Sequence, residues 1–188
     1  MTLMTAPFPT REYTADDLLR LPDSTGFELV DGQLKERNVS KESSRVGLTI
    51  GRLLANEAAR TGEAEVYGAD MGYQCFPPDA EKEIRKADAS VIRRDRLATV
   101  PGDVGYMPIP ADLAVEVLSP NDLIRAVNDK VEEYLDAGFG LVWVVDPVKK
   151  YVMVHRPDGT VTKLHENDEI TGEAALPGFR CRVVELLK

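Results

Sequence analysis

The run LVWVVDP, residues 141 to 147, is apolar at every position until its aspartate. A strand with one wet face alternates, whereas an unbroken apolar run needs cover on both faces. The chain is therefore expected to build a central sheet with other elements packed on each side. The preceding segments supply them. NDLIRAVNDKVEEYLDAG reads as a helix, with Asn121 or Asp122 as cap and Gly138 as stop. SSRVGLTIGRLLANEAAR places Val46, Ile50, Leu53 and Leu54 on one helical face, with Ser43 or Ser44 as the expected cap. Gly47 and Gly51 share a face there and predict close packing of another segment.

Further signals fill in the order. Thr14 and Asp17 form a capping-box pair ahead of a short helix. Asp31-Gly32 between two short strand-like runs predicts a hairpin, and so does Asp158-Gly159. AEVYGADMGYQCF, ADASVIRR and LAVEVLS read as strands, FPPDAEKEIRK as a loop, and LPGFRCRVVELL as a turn with a closing strand or short helix. A Pro/Gly-rich loop runs from 99 to 112, and its Tyr106 and Met107 either meet a partner or fold back onto the core. The expected fold is a mixed α/β domain spanning 1–188, without internal repeats.

Composition narrows the chemistry. The chain has 188 residues and a net charge of −9, which argues against coating nucleic acid by bulk attraction but leaves room for a local site. Cys75 and Cys181 lack metal-type spacing and are expected to be free thiols; His155 and His165 have no cysteine companions, so zinc is not expected. No apolar run is long enough for a transmembrane helix, and MTLMTAPFPTREYT lacks the character of a signal peptide, so the cytoplasm is the expected location.

One residue contradicts its surroundings. In AVEVLSPND, Leu113, Val115 and Val117 share one strand face, while Glu116 lies between Ala114 and Leu118 on the other. A buried carboxylate needs a cation, a metal or several donors. By the same alternation Asp88 shares a face with Ser90 and Ile92, and Ala87, Ala89 and Val91 turn the other way. If the two strands pair, Asp88 and Glu116 converge; such a pair shares a proton, meets a base or binds a hard cation. On a wheel of about 100° per residue, Leu123, Ile124, Val127, Val131, Tyr134 and Leu135 form the apolar arc of the next helix. Lys130 falls just outside that arc, able to reach back towards Glu116.

An aspartate near one strand start, a glutamate in the next strand and a nearby lysine resemble the PD-(D/E)XK nuclease superfamily. GFELVDGQL, KADASVIRR, DLAVEVLSPND, KVEEYLDAG and LVWVVDP resemble the Uma-two-type restriction endonuclease family over most of the chain. The resemblance implies a restriction-endonuclease-like mixed central sheet flanked by helices, with an N-terminal helix and β-hairpin. It implies a phosphodiesterase acting on DNA, with Mg²⁺ (or Mn²⁺) held by Asp88, Glu116 and the Val117 carbonyl. It assigns Lys130 the catalytic lysine's part and Glu28 that of a third acidic contributor. Ser119 and Asn121 would help position a backbone phosphate, and a homodimer would serve two strands. The sequence departs from the superfamily in having Ala87 for its proline and Leu118 where its lysine usually stands; Ser43 and Ser44 occupy a region where the family often has a histidine. A non-catalytic nucleic-acid- or protein-binding member, and a metal-free carboxylate-pair glycosidase, are the alternatives that the residues leave open.

Overall fold

The computed structural model describes residues 11–102 and 105–188. The first ten residues of the segment read for a targeting signal, and two positions of the long loop, lie outside the described residues. Helix α1 (Ala15–Leu19) opens on the expected reciprocal cap between Thr14 and Asp17. Strands β1 (Phe27–Val30) and β2 (Gln33–Glu36) form a hairpin, with Asp31 and Gly32 at φ of 49° and 72°. Helix α2 (Lys41–Thr61) follows, stopped by left-handed Gly62. Its cap is Ser40 rather than Ser43 or Ser44; Ser43 stands three residues in and completes the reciprocal pair. After it come β3 (Ala64–Gly68), β4 (Gly72–Tyr73), β5 (Arg85–Lys86), β6 (Ala89–Arg93) and the short α3 (Arg94–Leu97). Strand β5 pairs with β4 inside a segment that the sequence reads partly as loop.

Strand β7 (Leu113–Val117), helix α4 (Ile124–Asp136) and strand β8 (Val142–Asp146) form the central crossover, with β7 and β8 parallel. Strands β9 (Tyr151–His155) and β10 (Val161–His165) form the second predicted hairpin. Strands β11 (Glu169–Thr171) and β12 (Arg180–Arg182) and helix α5 (Val183–Leu186) complete the chain. The six-stranded sheet has the order β10-β9-β8-β7-β6-β3 and is antiparallel except at β7-β8. Among the described residues, no helix is long and apolar enough to cross a membrane.

Both faces of the sheet are covered, as the LVWVVDP run requires. Val46, Ile50, Leu54 and Ala58 of α2 pack in one cluster with Leu113, Val115, Val117, Trp143 and Val145. Val131 and Tyr134 of α4 pack in the other with Ala114, Val142 and Val144. The alternation along β7 is therefore the one expected, with Glu116 on the α4 side.

Alternation fails one strand earlier. Ala89 and Val91 join the α2-side cluster, but Ala87 joins the α4-side cluster. The chain bends at Asp88, before β6 begins, and the bend slips the strand's phase by one position. Gly47 lies over this bend, its absent side chain within ordinary contact of the Asp88 Cβ, and Gly51 lies over Ala89. Helix α4 also departs from its wheel. Leu123 precedes the first turn as an N-cap without a side-chain bond, and Leu123 and Ile124 are 73% and 62% exposed. Asp122 accepts the Ser119 backbone N–H at 2.7 Å, securing the turn after β7 rather than capping α4. In the long loop, Met107 is buried and exchanges backbone hydrogen bonds with Gly72 and Gln74. Tyr106 packs against Gly72, so this pair folds back onto the body.

Candidate functional site

The cleft forms where β6 and β7 run out beside α4. Their register sets Ala89 against Val115, which brings Asp88 opposite Glu116. The Asp88 N–H donates to the Val115 carbonyl at 2.8 Å, and Asp88 Oδ2 accepts the Val117 N–H at 2.7 Å. These two bonds fix the aspartate across the strand end. Arg37, from the segment linking β2 to α2, donates to Asp88 Oδ1 at 2.9 Å and to the Ala69 carbonyl at 2.8 Å.

Helix α4 brings two groups to Glu116. Lys130 Nζ stands 2.9 Å from Oε1 and 3.0 Å from Oε2, and the Tyr134 hydroxyl donates to Oε1 at 2.8 Å. Lys130 and Tyr134 are four residues apart and so share a helix face. Lys130 also reaches Glu28 Oε1 at 2.8 Å and the Lys86 carbonyl at 3.0 Å. Its ammonium thus has acceptors for all of its donors.

Glu28 arrives from outside the central sheet. Leu29 exchanges backbone hydrogen bonds with Ile84, which docks the hairpin beside β5. Glu28 is consequently 7% exposed, and its Oε1 accepts the Lys86 N–H at 2.7 Å. Arg85 approaches Glu28 Oε2 at 3.5 Å and also faces Glu83 and Glu133. The site residues Glu28, Asp88, Glu116 and Lys130 therefore line one cleft of about 420 Å³, together with Arg37, Arg85 and Val117.

The carboxylates do not share one electrostatic fate. Burial pushes Glu116 up to about 7, against the pull of Lys130 and with repulsion from Asp88 and Glu28 adding to it. Burial likewise raises Asp88, outweighing the Val117 N–H and Arg37. At Glu28 burial acts the same way, but Lys130 and Arg85 overcome it and hold the carboxyl below its ordinary range. Burial opposes the charge on Lys130 too, yet Glu116 and Glu28 keep its proton bound more tightly than usual.

Several other expectations meet different surroundings. The Ser119 hydroxyl is buried, paired with Ser43 at 2.9 Å and donating to the Asn38 carbonyl at 3.2 Å. It ties the end of β7 to the start of α2 and does not face the cleft. Asn121 is exposed. The arginines on either side of Asp88 are paired locally: Arg85 with its three carboxylates, Arg93 with Asp95 and Arg94 with Glu65. Lys86 is buried and donates to the Ser24 carbonyl. Cys75 and Cys181 are free thiols, as expected. Arg37 and Tyr134 were not singled out as site residues by sequence reasoning. The i, i+4 spacing from Lys130 is a usable signal for Tyr134, but no local pattern points from Arg37 to Asp88.

The sheet is mixed and covered on both faces, with Asp88 and Glu116 at the end of neighbouring middle strands and Lys130 on the flanking helix, a restriction-endonuclease-like arrangement. The sequence model of the family described as "Uma2: Putative restriction endonuclease" matches residues 15–184, and the chain belongs to that family. The fold is similar to the crystal structure of "a putative nuclease belonging to DUF820" from Anabaena variabilis ATCC 29413, with a TM-score of 0.78 and 17% identity. That match covers 93% of this chain and 97% of the other. No curated protein matches the sequence.

Proposed function

We propose that the cleft hydrolyses phosphodiester bonds in DNA, using Mg²⁺ or Mn²⁺ held by Asp88, Glu116 and the Val117 carbonyl. The observation that carries this reading is the meeting of Asp88 and Glu116 at one strand end with Lys130 on Glu116. The donor set fits a hard cation. Among the described residues no group of three acidic, histidine or cysteine side chains is arranged around one point, but Mg²⁺ commonly uses one or two carboxylates and keeps several waters. Both proposed ligands are also the carboxylates whose charge the protein's own cations fail to compensate.

When bound, the ion supplies Lewis-acid polarisation of a phosphate oxygen and a water of lowered pKa. The chain supplies the rest. Val117 N–H and the bend at Asp88 orient one ligand, while Tyr134 and Lys130 orient the other. Lys130, kept charged by Glu28 and Glu116, neutralises negative charge developing on the phosphate. Glu28 acts through Lys130, as its positioning partner. A homodimer supplies one such cleft for each strand of a duplex.

The test is cleavage of supercoiled plasmid DNA, and of single-stranded RNA in parallel, with Mg²⁺ or Mn²⁺ present. Nicked or linear DNA is expected, abolished by EDTA and by Glu116→Gln. No cleavage of either nucleic acid with either ion would overturn the hydrolytic reading and leave a binding role. Cleavage that survives EDTA would overturn the metal.

A further inference from the structure

The cleft contains a cation that its proposed chemistry does not use. Arg37 is 11% exposed at its side chain, and its guanidinium is paired with Asp88 Oδ1 at 2.9 Å. The other Asp88 oxygen is already engaged by the Val117 N–H. Any cation approaching Oδ1 therefore meets a fixed positive charge. Arg37 is carried by a segment between two elements and not by the sheet, with its own N–H bonded to the Gly26 carbonyl. It also lines a second groove, of about 470 Å³, that runs along α2 past Ser43, Ser44, Gly47 and Gly51. Asp88 lines both grooves as well, so the Arg37–Asp88 pair stands at their junction. The α2 groove gives the guanidinium somewhere to go.

We propose that Arg37 is a resident counter-cation: it holds Asp88 Oδ1 in the ion-free protein, and a divalent cation must compete with it for that oxygen. This rests on the metal-binding reading above and adds to it a residue that sets the affinity of the site. Among the described residues Arg37 is the ion-pair partner of Asp88, as Lys130 is of Glu116, so without Arg37 the ion-free site would bury Asp88 with no paired cation. With it, the fold keeps Asp88 oriented while the site waits, at the cost of weaker ion binding. Arg37 is thus a positioning residue whose removal tightens the cation site.

Titration calorimetry of the ion-free full-length protein with Mn²⁺ tests this, comparing the native chain with Arg37→Gln. Gln removes the charge and keeps a hydrogen-bonding amide on a shorter stem. Arg37→Gln is expected to bind Mn²⁺ at least about threefold more tightly, because a like charge near the ion has gone. Equal or weaker binding by a folded Arg37→Gln protein would overturn the proposal. If that variant does not fold, Arg37→Met carries the test: it keeps an apolar stem and removes the charge, so tighter binding is again expected, with unchanged or weaker affinity the contrary result. Mn²⁺ uptake and cleavage by the native chain decide the metal reading, and the ratio between variant and native affinities decides the part played by Arg37. Failure of one is therefore distinguishable from failure of the other.

Discussion

Two carboxylate environments lie side by side in this cleft and differ in kind. Glu28 sits among Lys130, Arg85 and the Lys86 N–H, and it is held in its charged form. Asp88 and Glu116 are also bonded, yet burial wins and both resist ionisation. The contrast separates a finished ion-pair network from an unfinished one. Glu28 is complete with the protein's own cations. Asp88 and Glu116 retain a deficit of positive charge at the place where a divalent ion would supply it.

Lys130 joins the two environments, so its loss breaks the contrast most severely. Lys130→Met should lower cleavage by at least about a hundredfold, in line with losing a transition-state charge partner. It should also destabilise the ion-free protein by on the order of 3 kcal/mol, since two buried carboxylates lose their cation. Plasmid assays and denaturant melts measure both. Unchanged Mg²⁺-dependent cleavage would remove Lys130 from the chemistry.

Replacing each glutamate by glutamine sharpens the comparison. Glu28→Gln should destabilise by about 2 kcal/mol at pH 8, because Lys130 and Arg85 lose a partner. Glu116→Gln should leave ion-free stability at pH 8 unchanged or higher while abolishing Mn²⁺ uptake. Equal destabilisation by both variants would erase the distinction.

The pH dependence should run in opposite directions for the two groups. The folded Glu116 carboxyl lies near 7, above the ordinary 4.5, so the fold favours its protonated form. Its contribution to stability is complete below about 4.5 and is lost as pH rises through 7. Glu28 is lowered, so its contribution is present above 4.5 and is lost as pH falls through its folded value. Melting temperatures of Glu116→Gln should therefore lose the decline between pH 5 and 8, whereas those of Glu28→Gln should lose part of the acid-side fall. Mn²⁺ should stabilise the native chain more at pH 8 than at pH 5, by linkage to a deprotonated site. The smallest effect belongs to Tyr134→Phe. It removes one donor from Glu116 and should cost about 1 kcal/mol, with the Mn²⁺-binding midpoint moving to higher pH.

Much of this arrangement could be read from local rules. Asp31-Gly32 predicted its hairpin because both positions need positive φ. The two-residue period placed Glu116 opposite Leu113, Val115 and Val117, and the helical period brought Lys130 to the right side of α4. The misreadings have physical causes. Alternation presumes an unbroken strand, and the bend at Asp88 broke it, so Ala87 packs on the face opposite to the one expected. A wheel presumes that every apolar residue lies within the helix, whereas Leu123 precedes it and Ile124 only begins it. The burial of Glu28 leaves little local sign in the sequence, since it comes from docking of Leu29 against Ile84. Arg37 could not be found at all, because its pairing with Asp88 depends on tertiary approach and leaves no spacing to detect.

The docking of the β1–β2 hairpin has a consequence for how the molecule assembles. Glu28 and Lys130 are about a hundred residues apart along the chain, and such distant pairs add to contact order and slow folding. Until the hairpin seats against Ile84, Lys130 lacks one of its two carboxylate partners, even with the sheet and α4 in place. The N-terminal ribbon thus works as a latch on the electrostatics of the cleft. A chain that has closed its sheet but not its latch would have native-like secondary structure and an incomplete site.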